Sequence, residues 1–418
     1  MPVIHVPNLR FEEELAGPLR AQPARLEQLT TELAVLLGLK AAPGDVVLVE
    51  SSGLPEADGL PLCLAQATYL TLPELRERLK SAERDGSLPH WQLAPWGWSD
   101  SAHRLLQMLG LPQAAPDLQA VRRVNTREFA AAFDREISVD ADRIERPFGR
   151  LCYSASQVEA ALTDLPDSFA DRWVIKANLS HAARNRLMGQ GRELSDDQHR
   201  WLARRLQHGE PVCVEPWVCR LRECGLQWTV SADGSRLQVT FDGAAEMLTD
   251  ALGQYRGSLI SGVPAGEVCW WQPAIEHGRR VAAAAGELGF RGPLGIDCML
   301  VEHSGRHWLR LAHDINGRQT MGRLALSLQQ QLPEGFCGAW CHLPADSPGI
   351  EAEFSCNASH SVVVAHRTSP VRTAGRLPIL QTLLLSGKNF VQVTDAALKL
   401  THAVVPLCTP STITPRMP

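Results

Sequence analysis

The chain has 418 residues, more than one ordinary core accommodates, and suits two or three domains. Its net charge of -5 excludes the basic field typical of nucleic-acid-binding proteins, while its 44% hydrophobic share is enough for packed interiors. The 11 cysteines lack the paired short spacing of a zinc site, so they are interpreted as buried or unreactive thiols of a reducing cytosol. The charged N-terminus is unlike a signal peptide and no apolar stretch reaches the roughly 20 residues of a membrane span, so we expect a cytoplasmic protein.

The first 120 residues predict a small α/β domain. The segment LEQLTTELAVLLGL has helical apolar spacing, GDVVLVESS is a short apolar strand that opens into a polar loop, and LPELRERLK is an amphipathic helix. No phosphate-loop glycine pattern follows VVLVE, which argues against a working Rossmann site. The Pro- and Ala-rich segment at 110–121 suits a linker.

The following 200 residues alternate between helical and strand patterns. In chain order they predict the helix NTREFAAAFDREI, the strand FGRLCYS, the helix SASQVEAALTDL, the buried strand RWVIKANLS, the helix DDQHRWLARRLQ, the strand PVCVEPWV, a hairpin, the helix EHGRRVAAAAGELGF and the hairpin GIDCMLVEHSGRHWLRLAHDINGR. The segment 336–418 has no readable motif. Packing over a cleft and self-association, for instance as a homodimer, are the two alternatives left open for it.

The last hairpin gathers oxygen ligands on one face. With a turn at 304–305, Asp297 faces Ala312, Asp314 is the diagonal neighbour of Asp297, and Asn316 continues the same face. Two carboxylates so close repel each other unless a cation lies between them, and hard oxygen ligands of this kind suit Mg²⁺. The alternative is a solvated hairpin with ordinary surface acids.

A lysine within an apolar strand is unusual in this arginine-rich chain. Lys176 ends the strand RWVIKANLS, where a buried lysine requires an anionic partner such as a nucleotide phosphate. The loop that follows carries His181, Arg184 and Arg186, and a basic, mobile loop could close over phosphates. A flexible surface loop is the alternative.

The strand PVCVEPWV ends in groups that suit a nucleoside. Its residues 215–218 offer backbone groups at an apolar wall for an adenine ring, and Glu223 could accept hydrogen bonds from ribose hydroxyls. A purely structural role is the alternative for each, and Pro216 in particular suits the end of a strand.

The order of these segments resembles the ATP-grasp superfamily of ligases. The resemblance covers about residues 121–330, and its most specific piece is DINGRQTMG, similar to the acid-x-Asn-x-Arg signature of that family. The stretch APWGWS and the preceding α/β unit look like the pre-ATP-grasp domain. The resemblance implies an α/β fold: a pre-ATP-grasp domain at 1–120, an ATP-grasp domain whose two α+β subdomains (121–212 and 213–335) clasp ATP, and a C-terminal extension at 336–418.

The resemblance also implies roles for individual residues. The implied metal ligands are Asp297, Asp314 and Asn316. The implied ATP-contacting residues are Arg127, Lys176, His181, Arg184, Arg186, Glu215, Val218 and Glu223. The implied catalytic residues are Lys176, Arg318, which meets the γ-phosphate or an acyl-phosphate, and Arg291, which helps to bind a carboxylate. Arg127 stands where the family usually has lysine, and His313 is interpreted as structural because it alternates to the face opposite Asp314.

The implied activity is an ATP- and Mg²⁺- (or Mn²⁺-) dependent carboxylate–amine ligase. Its substrates would be small-molecule or peptide carboxylates and amines, with no nucleic acid and no membrane as partner. An ATP-grasp kinase and a nucleotide-binding module without ligase activity are the alternatives.

Overall fold

The computed structural model describes residues 1–138, 145–165, 172–179, 185–207, 209–234, 236–261, 271–303, 305–347 and 363–403. The chain forms two compact units. The first comprises Met1–Leu118, Met247–Glu267 and Arg318–Val404, and the second is built mainly from Gln119–Glu246 and Val268–Gly317. Both units are discontinuous in the chain, whereas the sequence predicts consecutive domains.

The strands of the described residues are β1 (Val3–Val6), β2 (Val46–Leu48), β3 (Thr68–Leu70), β4 (Gln92–Pro95), β5 (Arg135–Ser138), β6 (Glu145–Pro147), β7 (Arg150–Cys152), β8 (Arg172–Ala177), β9 (Arg186–Gln190), β10 (Val212–Pro216), β11 (Cys219–Asp233), β12 (Arg236–Thr249), β13 (Tyr255–Ser261), β14 (Gly292–His303), β15 (Arg306–Asn316), β16 (Cys337–Pro344), β17 (Val364–Arg367) and β18 (Leu380–Gly387).

The helices are α1 (Phe11–Ala16), α2 (Ala24–Val35), α3 (Leu72–Arg84), α4 (Asp100–Met108), α5 (Leu118–Val124), α6 (Arg127–Phe133), α7 (Ala155–Thr163), α8 (Asp196–Leu206), α9 (Gln272–Glu287), α10 (Met321–Gln329) and α11 (Phe390–Thr401). Short 3₁₀ turns occupy Leu36–Lys40, Ser51–Gly53 and Leu88–His90. None of the helices in the described ranges combines the length and apolar character needed to cross a bilayer.

The first unit contains a four-stranded parallel sheet in the order β3-β2-β1-β4. Its strands are short and apolar, and Ile4, Val46 and Val47 are fully buried, as expected for a sheet that helices cover. The strands β13, β16, β18 and β17 form an antiparallel arrangement in the same unit, with α11 packed on β16. The extension after residue 336 therefore contributes regular strands and a helix.

The second unit contains an antiparallel sheet in the order β7-β10-β8-β9. Apolar side chains of its strands and of α7 and α8 form one core, which includes Trp173, Ile175 and Val212. Alternation along β8 directs Trp173 and Ile175 to the core and leaves Lys176 on the other face of the strand. A second sheet of this unit has the order β12-β11-β14-β15-β5-β6 and carries the predicted acid pair.

Candidate active site

The two aspartates of the predicted metal set lie directly opposite each other on β14 and β15. The turn is where the sequence predicts it, because His303 pairs with Arg306. The predicted register beyond it is wrong, since a β-bulge between Asp297 and Met299 makes Asp314, and not Ala312, the partner of Asp297. Direct partners have Cβ atoms about 4.5–5.5 Å apart, closer than the predicted diagonal pair.

The acid pair is held by hydrogen bonds on both strands. Nδ2 of Asn316 donates to Oδ2 of Asp297 at 3.1 Å. Gly317, the next residue, donates its N–H to Oδ1 of Asn125 at 2.9 Å. A Cβ on Gly317 would lie 2.6 Å from Nδ2 of Asn125 and 3.0 Å from the ring of Phe290, so a larger residue would displace the Asn125 amide. The end of β15 is therefore fixed in place.

Arg127 neutralises Asp314. Thr126 caps α6, so the helix begins at Arg127, and the Arg127 N–H donates to the carbonyl oxygen of Asn178 at 2.8 Å. The guanidinium is bidentate on the carboxylate, with Nη1–Oδ1 at 2.7 Å and Nη2–Oδ2 at 2.9 Å. Burial raises the pKa of Asp314, but the charges of Arg127 and then Lys176 outweigh it, so the pKa lies below its ordinary value. The aspartate is therefore ionised at neutral pH.

Lys176 belongs to a buried chain of charges. Its Nζ lies 2.8 Å from Oε2 of Glu215, and the same oxygen accepts from Nη1 of Arg310 at 3.0 Å. Arg310 also donates through Nε to Oδ1 of Asp134 at 2.7 Å and through Nη2 to the other carboxylate oxygen. Glu215 thus supplies the anionic partner that the sequence argument assigns to a nucleotide phosphate. Burial raises the pKa of Glu215, yet Arg310 and Lys176 more than compensate, and the pKa is strongly lowered.

Glu223 lies between two basic groups. Nη1 of Arg220 lies 3.2 Å from Oε2 of Glu223, and Nε2 of His313 lies 3.1 Å from Oε1. The prediction that His313 turns away from the site is wrong, because three residues of β15 stand opposite Cys298 at the bulge and simple alternation fails there. Burial lowers the pKa of His313 despite its contact with Glu223, so the imidazole is neutral at neutral pH.

The donor set suits a hard cation. Within the residues that the structure describes, no group of three or more His, Cys, Asp and Glu is arranged to hold a metal ion. Two carboxylates and one amide on a strand pair nevertheless match Mg²⁺, which uses one or two protein carboxylates and completes its shell with phosphate and water. Asp297 and Asn316 fit this description directly. Asp314 fits it if Arg127 releases one of the two carboxylate oxygens that it contacts.

Solved structures with nearly full-length similarity have one fold in common. The N5-carboxyaminoimidazole synthetase of Staphylococcus aureus, solved with ADP, matches with a TM-score of 0.51 and 13% identity over 96% of this chain and 97% of its own. The biotin carboxylase domain of the Hydrogenobacter thermophilus 2-oxoglutarate carboxylase, solved with MgADP, ADP and bicarbonate, matches with a TM-score of 0.51 and 11% identity over 96% and 90%. The Campylobacter jejuni biotin carboxylase, solved with β,γ-ATP, matches with a TM-score of 0.51 and 12% identity over 95% and 91%.

The chain has the ATP-grasp fold. The fold that the sequence suggests is thus confirmed, and so is the mixed α/β class. No family model matches the sequence. Among curated proteins, a phosphoadenosine 5′-phosphosulfate reductase of Salmonella schwarzengrund is 29% identical over 136 residues, which cover 28% of this chain. The chain spans about half the length of that reductase, since the match covers 56% of it.

Of the other predicted nucleotide residues, the structure describes Arg186 and Val218. Arg186 on β9 is the strand partner of Lys176, and its guanidinium carbon lies 5.7 Å from the ring centroid of Trp217. Val218 is buried in an apolar cluster with Met299, Val301 and Trp308. Val218 therefore lies among apolar side chains, and the role of residues 215–218 in binding an adenine ring stays a prediction. The predicted phosphate-loop residues His181 and Arg184 lie outside the described residues.

The two remaining predicted catalytic residues contact protein groups other than the acid pair. Nη1 of Arg291 donates to the carbonyl oxygens of Gly286 and Phe290, both at 2.7 Å, at the end of α9. Arg318 belongs to the first unit and forms an ion pair there with Glu12. Their catalytic roles stay predictions.

Sequence reasoning misses Arg310 and Asp134. Arg310 is only 2% exposed, yet it occupies a strand pattern, WLRLAH, in which one arginine looks like an ordinary surface residue. Its partners Asp134 and Glu215 lie 176 and 95 residues away in the chain. The one available signal is an arginine flanked on both sides by apolar residues, the same signal that identifies Lys176.

Proposed function

We propose that this protein is an ATP- and Mg²⁺-dependent ligase that activates a carboxylate as an acyl-phosphate and couples it to an amine, releasing ADP and phosphate. The observation that supports the proposal most is the direct pairing of Asp297 with Asp314, with Asn316 hydrogen-bonded to Asp297 and Lys176 close enough for its charge to lower the pKa of Asp314. Neighbours with the same fold carry ADP or MgADP in their crystals, in agreement with this choice of substrate and metal.

The metal and phosphate roles follow from the donor chemistry. Asp297, Asp314 and Asn316 would hold Mg²⁺, which when bound offsets negative charge on phosphate oxygens. Lys176 would turn from Glu215 to a phosphate oxygen, and Arg310 would keep Glu215 neutralised when it does so. Arg127 would exchange part of its contact with Asp314 for a phosphate oxygen. Positioning and charge do most of the catalysis in such a transfer.

The proposed reaction has two steps. An oxygen of the substrate carboxylate attacks the γ-phosphorus of ATP, and the bond to the bridging oxygen breaks, so ADP leaves with the electron pair. The amine nitrogen then attacks the acyl carbon, phosphate leaves with its electron pair, and the amine loses a proton to solvent. No residue of the chain acts as a covalent nucleophile.

One feature favours a second candidate, a nucleotide-binding module without ligase activity. Arg127 contacts both oxygens of Asp314, and Lys176 has a carboxylate partner, so the charges of this site are balanced by the chain itself. A ligase must rearrange these pairs whenever ATP and Mg²⁺ bind. A module could bind ATP weakly beside them without turnover.

The experiment that separates the candidates is ADP release from MgATP with panels of carboxylic acids, each with and without an amine. A ligase requires both substrates for full turnover, whereas a kinase needs one alcohol or acid and forms no coupled product. A binding module shows thermal stabilisation by ATP and no ADP. No stabilisation by MgATP and no ADP under any condition would refute all three.

A further inference from the structure

Arg127 is held in place by the segment of chain that follows Lys176. It is the first residue of α6 and is 7% exposed. Its N–H donates to the carbonyl oxygen of Asn178 at 2.8 Å, and the N–H of Glu128 donates to the side-chain oxygen of the same asparagine at 3.2 Å. Asn178 is two residues beyond Lys176 in the chain. The first turn of α6 is therefore bound to the chain just after β8, and all these residues belong to the second unit.

The guanidinium of Arg127 contacts both oxygens of Asp314 at once. Nη1 lies 2.7 Å from Oδ1 and Nη2 lies 2.9 Å from Oδ2, while Nη1 also donates to the carbonyl oxygen of His313 at 3.3 Å. Bidentate pairs of this kind are among the strongest charge-assisted contacts in proteins. The Arg127 side chain is only 8% exposed, so salt and water screen the pair weakly.

This ion pair opposes a metal ion at the acid pair in two ways. A cation that binds Asp314 competes with the guanidinium N–H groups for the carboxylate oxygens, of which both are in use. A Mg²⁺ ion also lies about 2 Å from each oxygen that it binds, so its charge would stand close to the fixed positive charge of Arg127. Asp297 and Asn316 alone offer one carboxylate and one amide. The acid pair is therefore a weak metal site while Arg127 keeps both contacts.

Only another anion can take Arg127 away from Asp314. Arginine is not deprotonated in proteins, so a change of pH does not release the guanidinium. A phosphate group is a suitable competitor, because the planar guanidinium matches phosphate oxygens in the same bidentate way as it matches a carboxylate. The oxygens of a triphosphate also complete the shell of Mg²⁺. One ligand thus supplies both requirements, an anion for Arg127 and oxygens for the metal ion.

We propose that the Arg127–Asp314 ion pair closes the metal site of the nucleotide-free protein, and that the phosphate oxygens of ATP open it by taking over the guanidinium. This inference rests on the proposed function. Arg127 then sets the order of binding, because the metal ion binds tightly only with or after the nucleotide. By thermodynamic linkage, ATP and the metal ion strengthen each other's binding by the same factor.

The test measures the binding of Mn²⁺ to the nucleotide-free protein by electron paramagnetic resonance. Arg127→Gln removes the positive charge and releases both oxygens of Asp314, so it should bind Mn²⁺ about 10-fold or more tightly than the wild type does. Arg127→Lys keeps the charge without the bidentate fork and should fall between the two. Arg122→Gln is the matched control and should bind like the wild type, because Arg122 pairs with Glu210 at the surface of the same unit.

A background without the carboxylate shows whether the gain in affinity depends on Asp314. Adding Arg127→Gln to Asp314→Asn should give no gain, since the two side chains act on the metal ion through one contact. The inference is overturned by a wild-type protein that binds Mn²⁺ as tightly as Arg127→Gln, or by a gain that persists in Asp314→Asn. Circular dichroism checks the fold of each variant. If Arg127→Gln does not fold, equal Mn²⁺ affinity of the wild type and Arg127→Lys overturns the inference.

Failure of the proposed function gives a different result. Mn²⁺ that binds to none of these proteins, with or without ATP, would refute the metal site and the proposed function together. Tight binding of Mn²⁺ to the nucleotide-free wild type, unchanged in Arg127→Gln, would refute the closing role of Arg127 alone and leave the metal site intact.

Discussion

Replacing Arg310 with methionine tests the buried charge network of the second unit. Arg310 is 2% exposed and Asp134 is 4% exposed, so the substitution leaves the Asp134 carboxylate buried without its guanidinium. Removing one partner of a buried pair costs about 3–5 kcal/mol. For a folding unit of 150–250 residues each kcal/mol lowers the melting temperature by about 2–4 °C, so Arg310→Met should lower it by about 6–20 °C.

The assay is thermal unfolding followed by circular dichroism, with two comparison variants. Arg122→Met removes an exposed pair, since Arg122 and Glu210 are 39% and 41% exposed, and should cost about 0–1 kcal/mol. Adding Asp134→Leu to Arg310→Met removes the orphaned charge and should restore part of the loss. A shift for Arg310→Met no larger than that for Arg122→Met would refute the network as a stabilising element.

Three further outcomes follow from individual contacts. Burial lowers the pKa of His342 to about 3, so the unfolded chain takes up a proton below about pH 6.5 while the folded chain does not. The free energy of unfolding should therefore decrease as the pH is lowered below 6.5, by at most about 1.4 kcal/mol per pH unit from this group. His342→Gln should reduce this pH dependence, measured by urea unfolding between about pH 4.5 and about pH 6.5. Gly317→Ala should destabilise the second unit by about 1–3 kcal/mol, because its Cβ would lie 2.6 Å from Nδ2 of Asn125. An unchanged denaturation midpoint would contradict the packing argument. Lys176→Met should weaken ATP binding about 10-fold or more through the loss of a charge-assisted hydrogen bond, and calorimetry showing wild-type affinity would remove Lys176 from the nucleotide site.

The sequence predicts the hairpin of the acid pair better than it predicts the pairing within it. Alternation of apolar and polar residues and the glycine of the turn place β14 and β15 correctly. The bulge has no sequence signal, because Cys298 and Ala312 are ordinary strand residues. Its consequences are the direct pairing of Asp297 with Asp314 and the contact of His313 with Glu223. Register beyond a bulge depends on packing of the whole sheet, which short-range patterns do not encode.

Charge partners are equally hard to predict from one sequence. Lys176 is recognisable as a buried cation, but its partner Glu215 lies 39 residues away on another strand. The same holds for Arg318, whose partner Glu12 lies 306 residues away. Local patterns therefore predict that a buried charge needs a partner, and tertiary structure decides which residue supplies it.

The central claim is that Asp297 and Asp314 hold a magnesium ion beside the phosphates of ATP. The most direct measurement is calorimetric titration of ATP into the wild-type protein and into Asp297→Asn, each with Mg²⁺ and with a chelator, and with the exposed-strand variant Asp242→Asn as control. We expect Mg²⁺ to strengthen ATP binding in the wild type and in Asp242→Asn, and to have no effect in Asp297→Asn. The same magnesium dependence in all three proteins would contradict the account.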